Sequence, residues 1–118
     1  MAKQIKTIDY DSDNDIFYIS NGEKVKTSLD IGDFILDVNN SNFISGIEIM
    51  NASENLGITK EILKSIKKMK MSVNYKTNHV YVLLMISFNK GDKEVNMPIP
   101  LTLDLGHKKP IQEVLVYN

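Results

Sequence analysis

Apolar and polar residues alternate along most of the first 50 positions, and a period of two is typical of β-strands. The first two predicted strands are joined by the polar run DSDND at residues 11–15, whose side chains can satisfy the backbone of a turn. They are therefore expected to form a hairpin. A second hairpin is expected around the polar turn at residues 39–42. The strands predicted in this half are residues 5–10, 16–20, 24–29, 34–38 and 43–49.

The period changes to that of a helix near residue 58. Ile58, Ile62, Ile66 and Met69 recur at helical spacing, and lysines occupy the opposite face. Thr59 is a suitable N-cap for this segment. The pattern predicts an amphipathic helix over residues 59–69, preceded by a single helical turn at 51–56.

The strand period returns after the helix, with strands predicted at 70–75, 80–88, 94–98, 101–105 and 111–117. Residues 80–88 are apolar on both faces, which is typical of a central strand. Pro98 and Pro100 cannot donate backbone hydrogen bonds, so their segment is expected at a sheet edge or at a crossing between sheets.

The order of signals before the helix resembles the order after it. Tyr10 and the strand at 16–19 correspond to Tyr75 and the strand at 80–83, and residues 44–51 correspond to 111–118. This similarity indicates an internal duplication. The predicted fold class is therefore α+β, a tandem pair of antiparallel β-meander units packed with one amphipathic helix between them. The whole chain, 1–118, is expected to form a single compact domain, with one repeat at about 4–50, a linker helix at about 51–69 and a second repeat at about 70–118.

Composition restricts the classes of function. The chain has no cysteine, which excludes disulfides, thiolate metal sites and a cysteine nucleophile. Its 15 acids and 14 bases nearly cancel, and every base is a lysine, so nucleic-acid binding is disfavoured. We expect neither a signal peptide nor a membrane-spanning segment, and we expect a cytoplasmic location.

The first half, about residues 4–54, resembles domain-of-unknown-function family 2283. The resemblance depends on a tyrosine-aspartate start, a second aspartate before an apolar-tyrosine strand, and a closing glycine-isoleucine-glutamate strand that leads into alanine-serine. The second half resembles a degenerate copy that keeps Tyr75, Tyr81 and Asp104. The family implies a fold and no established activity, although some members are suspected of pairing with small toxin-like proteins. The matching positions here are Tyr10, Asp11, Asp15, Tyr18, Asp37, Gly46, Ile47, Glu48, Ala52 and Ser53.

The alternating acids at 9, 11, 13 and 15 are similar to the start of a calcium loop, but neither EF-hand register supplies the required glycine and final glutamate. Turn chemistry is therefore favoured over a metal site. Asp11, Asp15, Asp37 and Glu48 could also supply a carboxylate pair for acid–base chemistry. Because no other catalytic motif accompanies them, structural roles are favoured and no catalytic residue is predicted. Glu48 lies between two strand isoleucines and faces the opposite side from both.

Two functions follow as expectations. The first is a non-enzymatic protein-interaction or regulatory module, antitoxin-like in one form, which uses a protein partner or self-association and no cofactor. The alternative is a small-ligand or metal-binding protein, or a hydrolase, that uses the acidic residues of the first repeat. The identity of any small molecule stays open.

Overall fold

A computed structural model describes residues 2–77, 79–103 and 111–117, which form mostly β-strands. The elements in chain order are β1 Ala2–Gln4, β2 Thr7–Asp11, β3 Ile16–Ser20, β4 Thr27–Ile31, β5 Phe34–Val38, β6 Ile44–Ile49, α1 Ala52–Leu56, α2 Lys60–Lys64, β7 Lys68–Tyr75, β8 Val80–Lys90, β9 Lys93–Leu103 and β10 Ile111–Tyr117.

The chain divides into two units, and each has its own sheet. The first unit, residues 5–64, contains an antiparallel sheet in the order β2-β3-β6-β5-β4 together with α1 and α2. The second unit, residues 1–4 and 65–118, contains a sheet in the order β1-β10-β7-β8-β9. That sheet is antiparallel except for the pairing of β1 with β10. The division into repeats at 4–50 and 70–118 stays a prediction.

Strand alternation gives the first unit one apolar face and one polar face. Phe17 and Ile19 on β3 stand opposite Ile49 and Ile47 on β6, and all four side chains are fully buried. Leu36 on β5 extends this apolar layer, also with no exposed surface. Burying each such side chain contributes about 1.5–3 kcal/mol. The residues between them therefore lie on the opposite face of the sheet, where Tyr18, Asp37 and Glu48 are found.

The second unit also follows strand alternation. On β7, Met69, Met71, Val73 and Tyr75 are buried, whereas Lys68 and Lys70 are exposed. Strand β8 is an interior strand between β7 and β9, as its apolar character predicted, but Tyr81 and Leu83 on one of its faces are exposed. Pro98 and Pro100 lie in β9 at the edge of the sheet, which confirms the first of the two predicted positions.

The prediction of an α+β fold with one helix over 59–69 is wrong. The described residues form two helices of five residues each, and Lys68 already begins strand β7. Met69 fits both periods, because it follows Ile66 at helical spacing and also begins the alternation that continues through Met71. Long pairings of β7 with β8 and β10 favour the strand, while a single helical turn has little stability of its own. Thr59 does cap α2, since its side-chain oxygen accepts a hydrogen bond of 3.3 Å from the Ile62 N–H.

The expected likeness of the two halves does not extend to strand order, and the internal duplication itself stays a prediction. In the first unit, the hairpin β2–β3 continues to β6 through β3. In the second unit, the hairpin β7–β8 continues to β10 through β7, on the opposite side. The two strand orders therefore differ, although the sequence signals are similar. Asp104, part of the proposed correspondence, lies outside the described residues.

No helix among the residues that the structure describes has the length and apolar character needed to cross a bilayer. A cytoplasmic location stays a prediction.

Candidate functional site

The carboxylate of Asp15 joins the first hairpin to helix α1. Asp15 is the last residue of the turn between β2 and β3 and has a left-handed backbone with φ of 56°. Its side chain accepts hydrogen bonds from the Tyr10 hydroxyl at 2.6 Å, the Ser53 hydroxyl at 2.6 Å and the Ser53 N–H at 3.1 Å. Its backbone oxygen also accepts the Ala52 N–H at 2.9 Å. Because Asn51 makes no side-chain cap, Asp15 caps this helix from 38 residues away.

The electrostatics of this cluster favour an ionised Asp15 and a neutral Tyr10. The Ser53 hydroxyl, followed by the Tyr10 hydroxyl, lowers the pKa of Asp15 below its ordinary value. Desolvation raises the pKa of Tyr10 to about 12, and the hydrogen bond to Asp15 acts in the same direction. A carboxylate that is ionised and already accepts three hydrogen bonds has little capacity left to act as a general acid or base.

Asp11 organises the turn itself. Its side chain accepts hydrogen bonds from the Asp13 N–H at 3.0 Å, the Asn14 N–H at 3.2 Å and the Asn14 side-chain amide at 2.8 Å. These contacts, with the Asn14 side-chain amide contributing most, lower the pKa of Asp11. This is the turn chemistry expected of an aspartate at this position. Among the described residues, no group of three or more acids or histidines has the geometry to hold a metal ion.

A second tyrosine–aspartate pair lies on the polar face of the sheet. The Tyr18 hydroxyl on β3 donates a hydrogen bond of 2.9 Å to Asp37 on β5, and it crosses β6 at Gly46 to do so. A Cβ atom on Gly46 would lie 3.0 Å from the Asp37 carboxylate and 3.2 Å from the Tyr18 hydroxyl. The absence of a side chain at Gly46 therefore leaves the space that this hydrogen bond occupies. Ser28 on β4 donates a further hydrogen bond of 2.8 Å to Asp37, so four strands contribute to the cluster.

Burial is the main cause that raises the pKa of Tyr18 above its ordinary value, and the neighbouring acids Asp37 and Glu48 add to it. The phenol is therefore held as a neutral hydrogen-bond donor. In both tyrosine–aspartate pairs, a neutral tyrosine hydroxyl donates a hydrogen bond to a carboxylate. The Tyr10–Asp15 pair lies at the β2–β3 turn, and the Tyr18–Asp37 pair lies on the polar face of the sheet.

An open groove of about 340 Å³ lies beside Tyr18 on the polar face. Its lining residues are Asp9 and Asp11 on β2, Ile16 and Tyr18 on β3, and Glu48 on β6. Glu48 stands directly opposite Tyr18 in the strand pairing, so it does face away from Ile47 and Ile49 as expected. Among the described residues, none donates a hydrogen bond to Glu48 or to the Asp9 side chain. These two acids differ in this respect from Asp11, Asp15 and Asp37.

The sequence pattern did not identify all the polar residues that organise this unit. Ser28 completes the Asp37 cluster, and the buried amides of Asn21 and Asn39 both donate to the carboxylate of Glu23. Asn39 also accepts the Ser41 and Phe43 N–H groups at 2.9 Å and 3.0 Å, which fixes the turn between β5 and β6. The polar turn at 39–42 was a signal for Asn39. Nothing in the local pattern indicates that Ser28 binds Asp37, nine residues away, or that Glu23 accepts from Asn39, sixteen residues away.

Comparison with known proteins gives three results. The family model described as "Protein of unknown function (DUF2283)" matches residues 7–53, which contain both tyrosine–aspartate pairs. A protein of Methanosarcina mazei named "Putative hypoxanthine phosphoribosyltransferase" is 33% identical over 89 residues, which cover 75% of this chain and 72% of the relative. "Uncharacterized protein MJ0789" of Methanocaldococcus jannaschii is 38% identical over 63 residues, 52% of this chain and 54% of that protein. No solved structure matches.

Proposed function

The chain belongs to the DUF2283 family, and we propose that it is a non-enzymatic module that functions by pairing with protein. The observation that carries this proposal is the engagement of the family's acids within the fold. Asp15 joins a hairpin to a helix, Asp11 closes a turn and Asp37 binds two hydroxyls. A catalytic carboxylate needs a lone pair or a proton that is available to substrate, and these three are already occupied.

Sheet edges support a role in protein pairing. The edge strands of the sheet in the first unit are β2 and β4. Strand β4 contains no proline, and Thr27, Ser28 and Asp30 on it are exposed. An uncovered edge of this kind can accept an additional strand, and the backbone supplies the affinity. The antitoxin-like role expected from the family resemblance stays a prediction.

The name of the Methanosarcina relative suggests phosphoribosyl transfer as a different function. Such a reaction must bind phosphate groups, which proteins usually hold with basic side chains or with the backbone N–H groups of a glycine-rich loop that leads into a helix. The groove of the first unit instead presents Asp9, Asp11 and Glu48, which repel a phosphorylated substrate. Both helices are only five residues long. We therefore do not propose this activity for the chain.

The proposal is tested by purifying the tagged full-length chain from the organism that encodes it, after mild cross-linking. We expect a stoichiometric protein, either a different protein or untagged copies of the chain, to be retained. An Asp30→Pro variant, which blocks the β4 edge, should lose it, whereas Asp92→Lys, in the β8–β9 turn of the other unit, should keep it.

A double variant, Asp11→Asn with Glu48→Gln, separates this proposal from the alternative of ligand binding or hydrolysis. Pairing with protein at an edge predicts that the double variant retains the partner. Retention of a metal ion or a metabolite by the wild type, its loss in the double variant and the absence of any protein partner would reject the proposal.

A further inference from the structure

We propose that the occupant of the β4 edge is a second copy of this chain, so that two β4 strands pair antiparallel across a twofold axis. This inference rests on the proposed function, since it names the partner of that edge. It depends on three observations: the direction of the free backbone groups, the difference between this edge and the others, and the distribution of charge along β4.

The hairpin register determines which backbone groups of β4 are free. Ile31 and Phe34 are paired across the two-residue turn at Gly32 and Asp33. In a hairpin with a two-residue turn, the two residues that close the turn direct their N–H and C=O groups toward each other, and every second residue along each strand does the same. Thr27, Leu29 and Ile31 therefore bond to β5, whereas Ser28 and Asp30 direct their N–H and C=O groups away from the sheet. Four intermolecular hydrogen bonds would form if Ser28 of each copy stood opposite Asp30 of the other.

The edge strand β9 in the second unit shows what a protected edge looks like in the same chain. Its turn at Gly91 and Asp92 also has two residues, and Lys90 and Lys93 form the closing pair. By the same rule, Pro98 and Pro100 occupy outward-facing positions, where the missing N–H groups prevent the addition of a strand. Strand β4 has no such protection.

The other edge of the first unit, β2, is a poor candidate for pairing with itself. Asp9 and Asp11 are both exposed on one face of this five-residue strand. Antiparallel pairing of two β2 strands would place these like charges opposite one another, which is destabilising.

The charges along the β4 edge are complementary to those of a second copy. Lys26 precedes the strand and Asp30 lies near its end, and both are exposed. Antiparallel pairing centred on Leu29 places Ser28 opposite Asp30 of the second copy. It also brings Lys26 diagonal to that same Asp30, within the reach of a long side chain. Within the chain, the Lys26 N–H donates to the Val38 carbonyl at 2.7 Å, and the Lys26 ammonium donates to the neutral side chain of Asn42 at 3.2 Å.

The apolar side of β4 fits the same arrangement. Leu29 and Ile31 are only half-buried in the single chain. Centring the pair on Leu29 places the two Leu29 side chains against each other and each Ile31 against Thr27 of the other copy. Val25, one of the few exposed large apolar residues among the described positions, precedes this edge and is 42% exposed. Pairing would therefore remove apolar surface from water as well as satisfy backbone groups.

The experiment measures the mass of the purified full-length chain by sedimentation velocity across a range of concentrations. We expect the wild type to dimerise. Reversing one charge, by Lys26→Glu or by Asp30→Lys, should weaken the dimer about tenfold, because each substitution acts twice in a symmetric pair. The double variant with both reversals should restore the affinity. Residues 26 and 30 are too far apart along one strand to interact within a chain, so rescue requires contact between copies.

Asp30→Pro should give a monomer, because it removes an outward-facing N–H that would bond to the second copy. It leaves the hydrogen bonds between β4 and β5 in place, so the fold should survive, and hydrogen exchange of the first unit verifies this. Asp92→Lys is the matched charge change in the other unit and should dimerise as the wild type does. A monomeric wild type would overturn this inference while leaving capture of a different protein, and hence the proposed function, intact. A dimer that persists in Asp30→Pro would also overturn it.

Discussion

Replacement of Asp15 by asparagine provides the most direct test of how the family motif stabilises the first unit. Asparagine tolerates the left-handed backbone at this position, so the substitution alters the hydrogen bonds and the charge without adding backbone strain. Its amide keeps one acceptor oxygen but replaces the other with an NH₂ group. That group cannot accept from Tyr10 or Ser53. Of the two short hydrogen bonds from the Tyr10 and Ser53 hydroxyls, one is lost and the other then has a neutral amide oxygen as its acceptor instead of a carboxylate.

The expected loss follows from these contacts. A hydrogen bond to a charged group contributes about 1.5–3 kcal/mol, but Asp15 is only half-buried and water can replace part of what is lost. We therefore expect Asp15→Asn to reduce the free energy of unfolding by about 2 kcal/mol. Asp15→Ala should cost about 1 kcal/mol more, because alanine disfavours the left-handed backbone.

Urea denaturation gives the free energy, and hydrogen exchange resolved by peptide tests the location of the effect. Protection should fall most in α1 and in the hairpin around Asp15, and should be unchanged in β7, β8 and β9. A control variant, Asp13→Asn, changes a neighbouring acid whose side chain makes no hydrogen bond with the described residues. Equal stability of Asp15→Asn and Asp13→Asn would refute the capping role.

The effect should also depend on pH, with a defined sign. The folded pKa of Asp15 lies below its ordinary value, so the stabilising contribution is present above the unfolded pKa of about 3.9 and is lost as pH falls through the folded pKa. The difference in stability between wild type and Asp15→Asn should therefore shrink in acid. A difference that stays constant to the lowest pH at which the fold survives would contradict a role for the charge.

Three further predictions concern the two tyrosine–aspartate pairs. Gly46→Ala should reduce the free energy of unfolding by about 1–3 kcal/mol, because its methyl group would displace the Tyr18–Asp37 hydrogen bond. Urea denaturation measures this loss, and a variant as stable as the wild type would contradict the passage of that hydrogen bond over Gly46. Tyr18→Phe should cost about 1–2 kcal/mol by the same assay, and addition of Gly46→Ala to it should cost less than the separate losses combined, whereas full additivity would show that the two residues are independent. Tyr10 should ionise near pH 12, so its contribution to the free energy of unfolding is present below the ordinary pKa of 10 and is lost between pH 10 and 12. The phenolate absorbance of the wild type, titrated against that of Tyr10→Phe, measures this pKa, and ionisation of Tyr10 at its ordinary value would contradict the prediction.

The local pattern of the sequence predicted most of the strands, because alternation directly reflects which side chains are buried. Phe17 and Ile19 specify β3 in this way, and the polar residues at 11–15 specify its hairpin. The pattern missed β1, placed β4 at 24–29, and predicted two strands, 94–98 and 101–105, where β9 is continuous from 93 to 103. The helix was predicted too long because Met69 satisfies two periods at once. Local spacing cannot separate these alternatives. Pairing with distant strands decides between them.

Strand order lies beyond a local pattern for the same reason. The similar sequence signals of the two halves do not determine whether the closing strand pairs with the first or the second strand of the hairpin, and the two units make opposite choices. The partners of the family residues were also hidden. Tyr18 and Asp37 are 19 residues apart, and Asp15 and Ser53 are 38 apart. The sequence identified these residues as a group, and the fold was needed to separate them into two clusters.

That separation bears on the function of the family motif. If most of its polar residues join distant segments of one sheet, their presence is explained by the fold alone, without reference to a reaction. Glu48 is the exception, because it lies beside Tyr18 in the groove and accepts no hydrogen bond from the described residues. A role in contact with a partner or ligand is therefore more readily assigned to Glu48 than to Asp11, Asp15 or Asp37. Loss of the partner in Glu48→Gln alone, with stability unchanged, would place the contact on this face of the sheet instead of at the β4 edge.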